Sequence, residues 1–156
     1  KLYKKDRKIF NKLKKILPKY IYSFPINKNE ISNAILANKS NLKKIVKIVH
    51  LEVRKKMNIF LKKNGNKKIV ILDIPLLLEN NINNKEDVLI FIESKKSDIL
   101  KRLKKRNNFN QKLFNTFNAI QLPIDYKKKK SQFIVKNNFT KKSIKKAIRV
   151  ILREII

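Results

Sequence analysis

The sequence predicts an α/β fold built on a parallel sheet. Two continuous apolar runs, Ile69-Val70-Ile71-Leu72 and Val88-Leu89-Ile90-Phe91-Ile92, have strand length and suit strands buried on both faces. A shorter run, Phe133-Ile134-Val135, follows the second. Helix-period segments separate and flank these runs, and alternation of that kind gives parallel strands with helical crossovers.

Residues 4–17 place Ile9, Phe10, Leu13, Ile16 and Leu17 at helical spacing, and Pro18 ends the pattern. Residues 20–25 read as a short extended piece and 30–36 as a short helix. A long helix is predicted over 41–63. Leu42, Ile45, Val46, Val49, Val53, Met57, Phe60 and Leu61 form its apolar stripe, and lysines fill the other side. Asn64-Gly65-Asn66 stops it, with Gly65 suited to a left-handed cap. After the first apolar run, Asp73-Ile74-Pro75 turns the chain. Helices are predicted over 95–106 and 111–120. A last one, 141–155, follows Thr140 as N-cap, with Ile144, Ala147, Ile148, Ile151 and Ile155 facing inward. Three strands are few for such a sheet, so one or two further N-terminal strands are expected to complete it.

The chain has 156 residues, enough for one domain with a real core, and its 42% hydrophobic content is globular. There is no repeat and no composition break. No apolar run approaches the roughly 20 residues needed to cross a bilayer. With no cysteine there are no disulfides or thiolate metal sites, and a cytoplasmic setting fits. The chain opens on Lys1 without a signal-peptide pattern, and the natural protein is expected to begin further upstream. Lys+Arg 41 against Asp+Glu 11 gives a formal charge of +30. That balance suggests a nucleic-acid binder. Against this, Lys, Asn and Ile are all abundant and all have A/T-rich codons, and the lysines spread over nearly every segment. Codon bias is therefore the first explanation of the charge. Attraction to phosphorylated metabolites and RNA follows physically from either cause.

In open parallel sheets, ligands sit beyond the C-terminal strand ends. The stretch Asp73-Ile74-Pro75-Leu76-Leu77-Leu78-Glu79 occupies such an end. Asp73 suits a place near a metal–phosphate and Glu79 the orientation of an acceptor; a plain strand-end turn fits equally well. Arg102 and Arg106 are four apart, so on a helix they share one face and can clamp a polyphosphate with bidentate geometry. A solvated basic face is a strong alternative in so basic a chain, and the scarcity of Arg relative to Lys raises the functional reading somewhat. Asn137, after the last apolar run, offers an amide for an adenine edge, but composition favours a turn there. His50, the one histidine, lies mid-helix beside the apolar stripe, where packing is the commoner role. Phe109, Phe114, Phe117 and Tyr126 read as core or lid packing rather than a base-stacking platform. With Gly65 the single glycine, no G-x-x-x-x-G-K-[ST] loop exists in this chain. Cysteine and histidine counts exclude thiol catalysis and a His-cluster metal site.

In order and spacing the segments resemble dephospho-coenzyme A kinase over nearly the whole chain. Residues 30–38 resemble that family's short helix entering the acceptor side. Val49-His50-Leu51-Glu52-Val53-Arg54 resembles its "HPxVR" helix, with Leu51 in place of the proline. Pro75-Leu76-Leu77-Leu78-Glu79 resembles the "PLLxE" strand end, the most specific match. Residues 100–106 resemble the "RxxxR" entry to the lid. Gln121-Leu122-Pro123, then Lys127, then Phe133-Ile134-Val135-Lys136-Asn137 resembles the "QxP…K…D-x-V-I-x-N" tail. Phe117 lies in the region of an expected lid arginine, and Gln132 stands where the family has aspartate.

The resemblance implies a three-layer parallel sheet of P-loop kinase type with a helical lid and the first strand or strands missing. It implies one domain over 1–156, with an acceptor-side region about 28–64 and a lid about 102–130. The implied activity is transfer of the ATP γ-phosphoryl group, with Mg2+, to the ribose 3′-hydroxyl of dephospho-CoA. Arg102, Arg106 and Asn137 would meet ATP. His50, Arg54, Asp73, Pro75, Leu76, Leu77 and Glu79 would line the acceptor side. The P-loop and catalytic aspartate would lie upstream of Lys1, leaving no catalytic residue and no metal ligand in this chain, which alone would be inactive. The partners are then ATP and dephospho-CoA, with no specific nucleic acid and no membrane. A basic RNA-binding protein and a non-catalytic kinase homologue are the alternative readings.

Overall fold

Asp6 breaks the first predicted helix in two. It leaves α1 (Leu2–Lys5) and caps α2 (Arg7–Ile16), its Oδ1 accepting the Ile9 N–H at 3.2 Å. A carboxylate in this position satisfies one of the amides that a helix start leaves open, so the break is stable where the apolar spacing alone would run on. The computed structural model describes residues 2–156; Lys1, on which the expected upstream start turns, lies outside the described residues. Two compact units form, one running through Ile74 and the other spanning Pro75–Ile156.

In the first unit, α3 (Lys28–Ala37) begins two residues before the predicted start, at Asn27. Asn27 and Glu30 form a reciprocal capping box, in which each side chain satisfies a backbone N–H of the other's turn. Asn38 then caps α4 (Lys39–Lys63), which matches the long predicted helix with two added residues at its start. Helices α2 and α3 both pack on α4. Ile9, Leu13, Ile21, Ala34, Leu42 and Ile45 are buried among them. The apolar stripe of α4 is therefore buried only at its N-terminal end; toward the C-terminus it opens, and Phe60 is exposed. Asn64 closes α4 by donating its side-chain amide to the Phe60 carbonyl at 2.8 Å. Gly65 does not adopt the expected left-handed conformation, because Asn64 already satisfies the last turn.

Residues 69–72 pair with nothing among the described residues, so the first predicted strand is absent, and Ile71 is 83% exposed. An apolar run supplies strand propensity, but a ladder needs a hydrogen-bonded neighbour. The second unit contains the sheet: β1 (Ile90–Glu93) and β2 (Phe133–Lys136) run parallel, with Ile90 opposite Phe133 and Glu93 opposite Lys136. An α/β architecture with a small parallel sheet is thus borne out. Between the strands lie α5 (Lys96–Lys104), α6 (Gln111–Ala119) and α7 (Ile124–Lys130), the last unforeseen. Helix α8 (Lys141–Ile155) packs on β2. Of its predicted inward positions Ile151 is buried, whereas Ile148 and Ile155 are exposed. The side chain of Thr140 makes no cap bond; Asn138 organises that corner, its Oδ1 accepting from the Thr140 N–H and the Ser143 hydroxyl.

Candidate functional site

Parallel pairing brings the C-terminal ends of β1 and β2 to one edge, where Glu93 and Lys136 lie opposite each other. The chain leaving β2 is held there tightly. The Asn137 N–H donates to the Glu93 carbonyl at 2.7 Å, and the Ser94 hydroxyl donates to the Asn137 carbonyl at 3.1 Å. The Asn137 side chain accepts the Phe139 N–H at 2.8 Å. A backbone N–H can only donate, so the atom facing it must be the amide oxygen. The Asn137 side chain consequently has its NH2 left to offer a ligand, which is half of what a bidentate adenine contact requires. Phe139 sits at φ 63°, left-handed backbone that a bulky residue adopts only at a cost. Its ring receives the Arg102 guanidinium, whose central carbon lies 4.3 Å from the ring centroid. Two residues singled out from the sequence, Arg102 and Asn137, thus meet on a third that was not. Nothing in the sequence marks Phe139 beyond its place after an Asn-Asn pair.

Arg106 departs from expectation. Helix α5 ends at Lys104, and Arg106 lies in the following turn, where its N–H donates to the Leu103 carbonyl at 3.0 Å. The two arginines do not share a helix face, because the i→i−3 bond tightens the chain into a turn before Arg106 is reached. Among the described residues Arg102 has no carboxylate partner. Lys128 pairs with Glu93. That bond holds the Glu93 carboxyl below the usual range and raises the Lys128 ammonium.

The turn after Pro75 is built from its own backbone. The Asn80 side-chain amide donates to the Leu76 carbonyl at 2.7 Å, and the Ile82 N–H donates to the Leu77 carbonyl at 3.1 Å. Leu76, at φ 58°, takes the left-handed region within it. Glu79 is neither a helix cap nor solvated. Its Oε1 pairs with Lys127 Nζ at 2.6 Å and accepts the Leu122 N–H at 3.0 Å. Burial pushes its carboxyl up, but the Lys127 hydrogen bond, the backbone donors and the Lys127 charge outweigh burial and leave it low. Sequence had placed Glu79 and Lys127 in two separate motifs; the structure joins the motifs through this pair. Gln132 also has a definite task, accepting the Leu89 N–H at 2.7 Å just ahead of the paired strands.

His50, Arg54 and Asp73 belong to the first unit. His50 and Arg54 are one turn apart on α4, the first half-buried and the second exposed. The same helix continues into a groove of about 300 Å³. Val53, Met57 and Phe60 form one wall and Ile71–Ile74 the other, with Asp73 on the rim side as an exposed carboxylate. Lys56, also at the groove, is held by Asp6 at 2.9 Å. Among the described residues no group of three or more His, Cys, Asp or Glu side chains is placed to hold a metal.

A family model described as dephospho-CoA kinase matches residues 1–143. The dephospho-CoA kinase of Wolbachia sp. subsp. Brugia malayi (strain TRS) is 31% identical over 153 residues, covering 97% of this chain and 78% of the relative. That of Wolbachia pipientis wMel is 30% identical over 145 residues, covering 92% and 74%. That of Bartonella quintana (strain Toulouse) is 27% identical over 133 residues, covering 84% and 68%.

Proposed function

The chain belongs to the dephospho-CoA kinase family, and from that premise we propose that it serves the last step of coenzyme A synthesis. In that reaction the ribose 3′-oxygen of dephospho-CoA forms a bond to the γ-phosphorus of ATP. The bond from that phosphorus to the β-bridging oxygen breaks, ADP leaves, and the hydroxyl proton passes to a base. The observation that carries the reading is the family match over residues 1–143. Phosphoryl transfer asks the protein chiefly for positioning and charge neutralisation, and the Asn137 amide at the strand-end edge with the Arg102 guanidinium beside Phe139 supports such a role. Arg102 and Arg106 take the phosphate oxygens, and the NH2 of Asn137 takes a ring nitrogen of the base. His50, Arg54, Asp73, Pro75, Leu76, Leu77 and Glu79 serve the acceptor side. In this scheme Glu79 acts through its Lys127 pair, holding the Pro75 turn against the segment that returns from the lid.

Among the described residues no cluster of three or more ligating side chains gathers for a metal. Magnesium is usually held by one or two carboxylates together with the substrate's phosphates, and we assign no step of this chain's chemistry to it. With a single glycine, these 156 residues also contain no phosphate-cradling loop. We place that loop and the proton-accepting carboxylate outside them, and we assign the 69–72 run to a strand that forms once such a segment pairs with it. A three-layer sheet with a lid about 102–130 would follow, in a cytoplasmic protein. The RNA-binding alternative rests on net charge alone, which the composition explains without a site. Incubating the purified chain with ATP, Mg2+ and dephospho-CoA tests the proposal; no CoA above background is expected, and robust turnover would overturn the missing-loop part of it.

A further inference from the structure

Phe139 is left-handed at φ 63°, yet the residue stays 39% exposed. Strain kept at the ligand end of a parallel sheet, with the side chain only partly buried to offset it, points to a role there. The Arg102 guanidinium lies over the ring, 4.3 Å from its centroid. A stacked guanidinium uses its face. Its five N–H donors lie in the plane and stay open to a bidentate oxyanion. Stacking and phosphate binding are therefore compatible, and the stack removes in advance much of the rotamer freedom that a long side chain loses on binding. The backbone that carries the ring is anchored: the Asn137 side chain accepts the Phe139 N–H at 2.8 Å, and Asn137 is tied to β1 by its own N–H at 2.7 Å.

We propose that Phe139 is a positioning residue that pre-orients Arg102 for a polyphosphate at the C-terminal edge of the sheet. The inference rests on the reading of Arg102 as a phosphate ligand. Titration of the 156-residue chain with inorganic tripolyphosphate tests it, followed by NMR at the Arg102 side-chain Nε–Hε signal. Ionic strength is held fixed, because so basic a chain attracts anions everywhere. The expected result is saturable movement of that signal in the wild type. Phe139→Leu should weaken binding by about two- to fivefold, the equilibrium equivalent of an exposed cation–π contact, and Phe139→Tyr should restore it. Phe139→Gly removes the ring while relieving the backbone, so it cannot fail for strain, and it should weaken binding as Phe139→Leu does. Equal or tighter binding by the Leu and Gly variants overturns the role of Phe139 and leaves Arg102 as a phosphate ligand. A wild-type signal that does not respond overturns both.

Discussion

Glu30 sits at the third position of α3 with 3% of its surface exposed and, among the described residues, no ion-pair partner. It persists as a charge because donors surround it. The amides of Tyr22, Ser23 and Asn27 donate to its carboxylate at 2.8, 3.2 and 3.3 Å, and the Ser23 hydroxyl donates as well. Burial raises its pKa, but these bonds together pull further and hold the carboxyl below its ordinary value. A depressed folded pKa stabilises the fold above the unfolded glutamate's pKa, about 4.3, and that stability fades as pH falls through and below it. Glu30→Ala should cost about 1.5–3 kcal/mol in urea unfolding at pH 7 and should flatten the acid limb of the stability profile. An unchanged acid limb would contradict the assignment. The short helix was expected from residue 30, so its Asn27–Glu30 cap went unread; the wrap of residues 22–23 around Glu30 was not legible, because it depends on a loop without periodicity. Glu79 shows the same division. Its motif marked it, but its partner Lys127 lies far along the chain, and spacing carries no information about such a pair.

At the scale of elements, apolar periodicity located most helices and both paired strands. Helix α8 falls on its predicted bounds, and β2 lies within one residue of its run. Three errors have physical causes. Asp6 ended a helix because a side-chain cap outweighed the pattern. Helix α7 was missed because its lysine-dense sequence has no apolar stripe to reveal a period. The 69–72 run lacks a ladder because pairing belongs to two segments and sequence shows only one. This contrast can be measured. Leu13→Ala, at 0% exposure, should destabilise by about 2.7–5 kcal/mol. Ile71→Ala, at 83% exposure, should stay within about 0.5 kcal/mol. Equal losses in the two variants would mean that residues 69–72 are buried in this chain. Gly65 gives a second test of an element boundary. It has no positive φ, and an added Cβ would meet nothing closer than the Lys62 carbonyl oxygen at 3.6 Å. Gly65→Ala should therefore raise stability by about 0.4–1 kcal/mol in thermal unfolding, by restricting the unfolded chain; a loss would indicate the left-handed cap that the sequence suggested.

For the whole molecule, composition and motif order pulled in different directions. A net charge of +30 invited a nucleic-acid reading, while the succession of short motifs led to a kinase family that the family match supports. Charge describes an average over the surface, whereas motif order fixes which groups reach one edge of a sheet. That edge was foreseeable for Arg102 and Asn137 and not for Phe139, whose contribution depends on a backbone angle. Under the proposed function, these residues form a kinase body that works with a phosphate loop outside them. CoA formation from ATP and dephospho-CoA measures it most directly, compared between the 156-residue chain and the same chain joined at its first residue to a strand–glycine loop–helix segment, with circular dichroism showing both folded. No product is expected from the chain alone, and dephospho-CoA-dependent product is expected from the joined chain. Turnover by the chain alone, or a folded joined chain that makes no CoA, would contradict it.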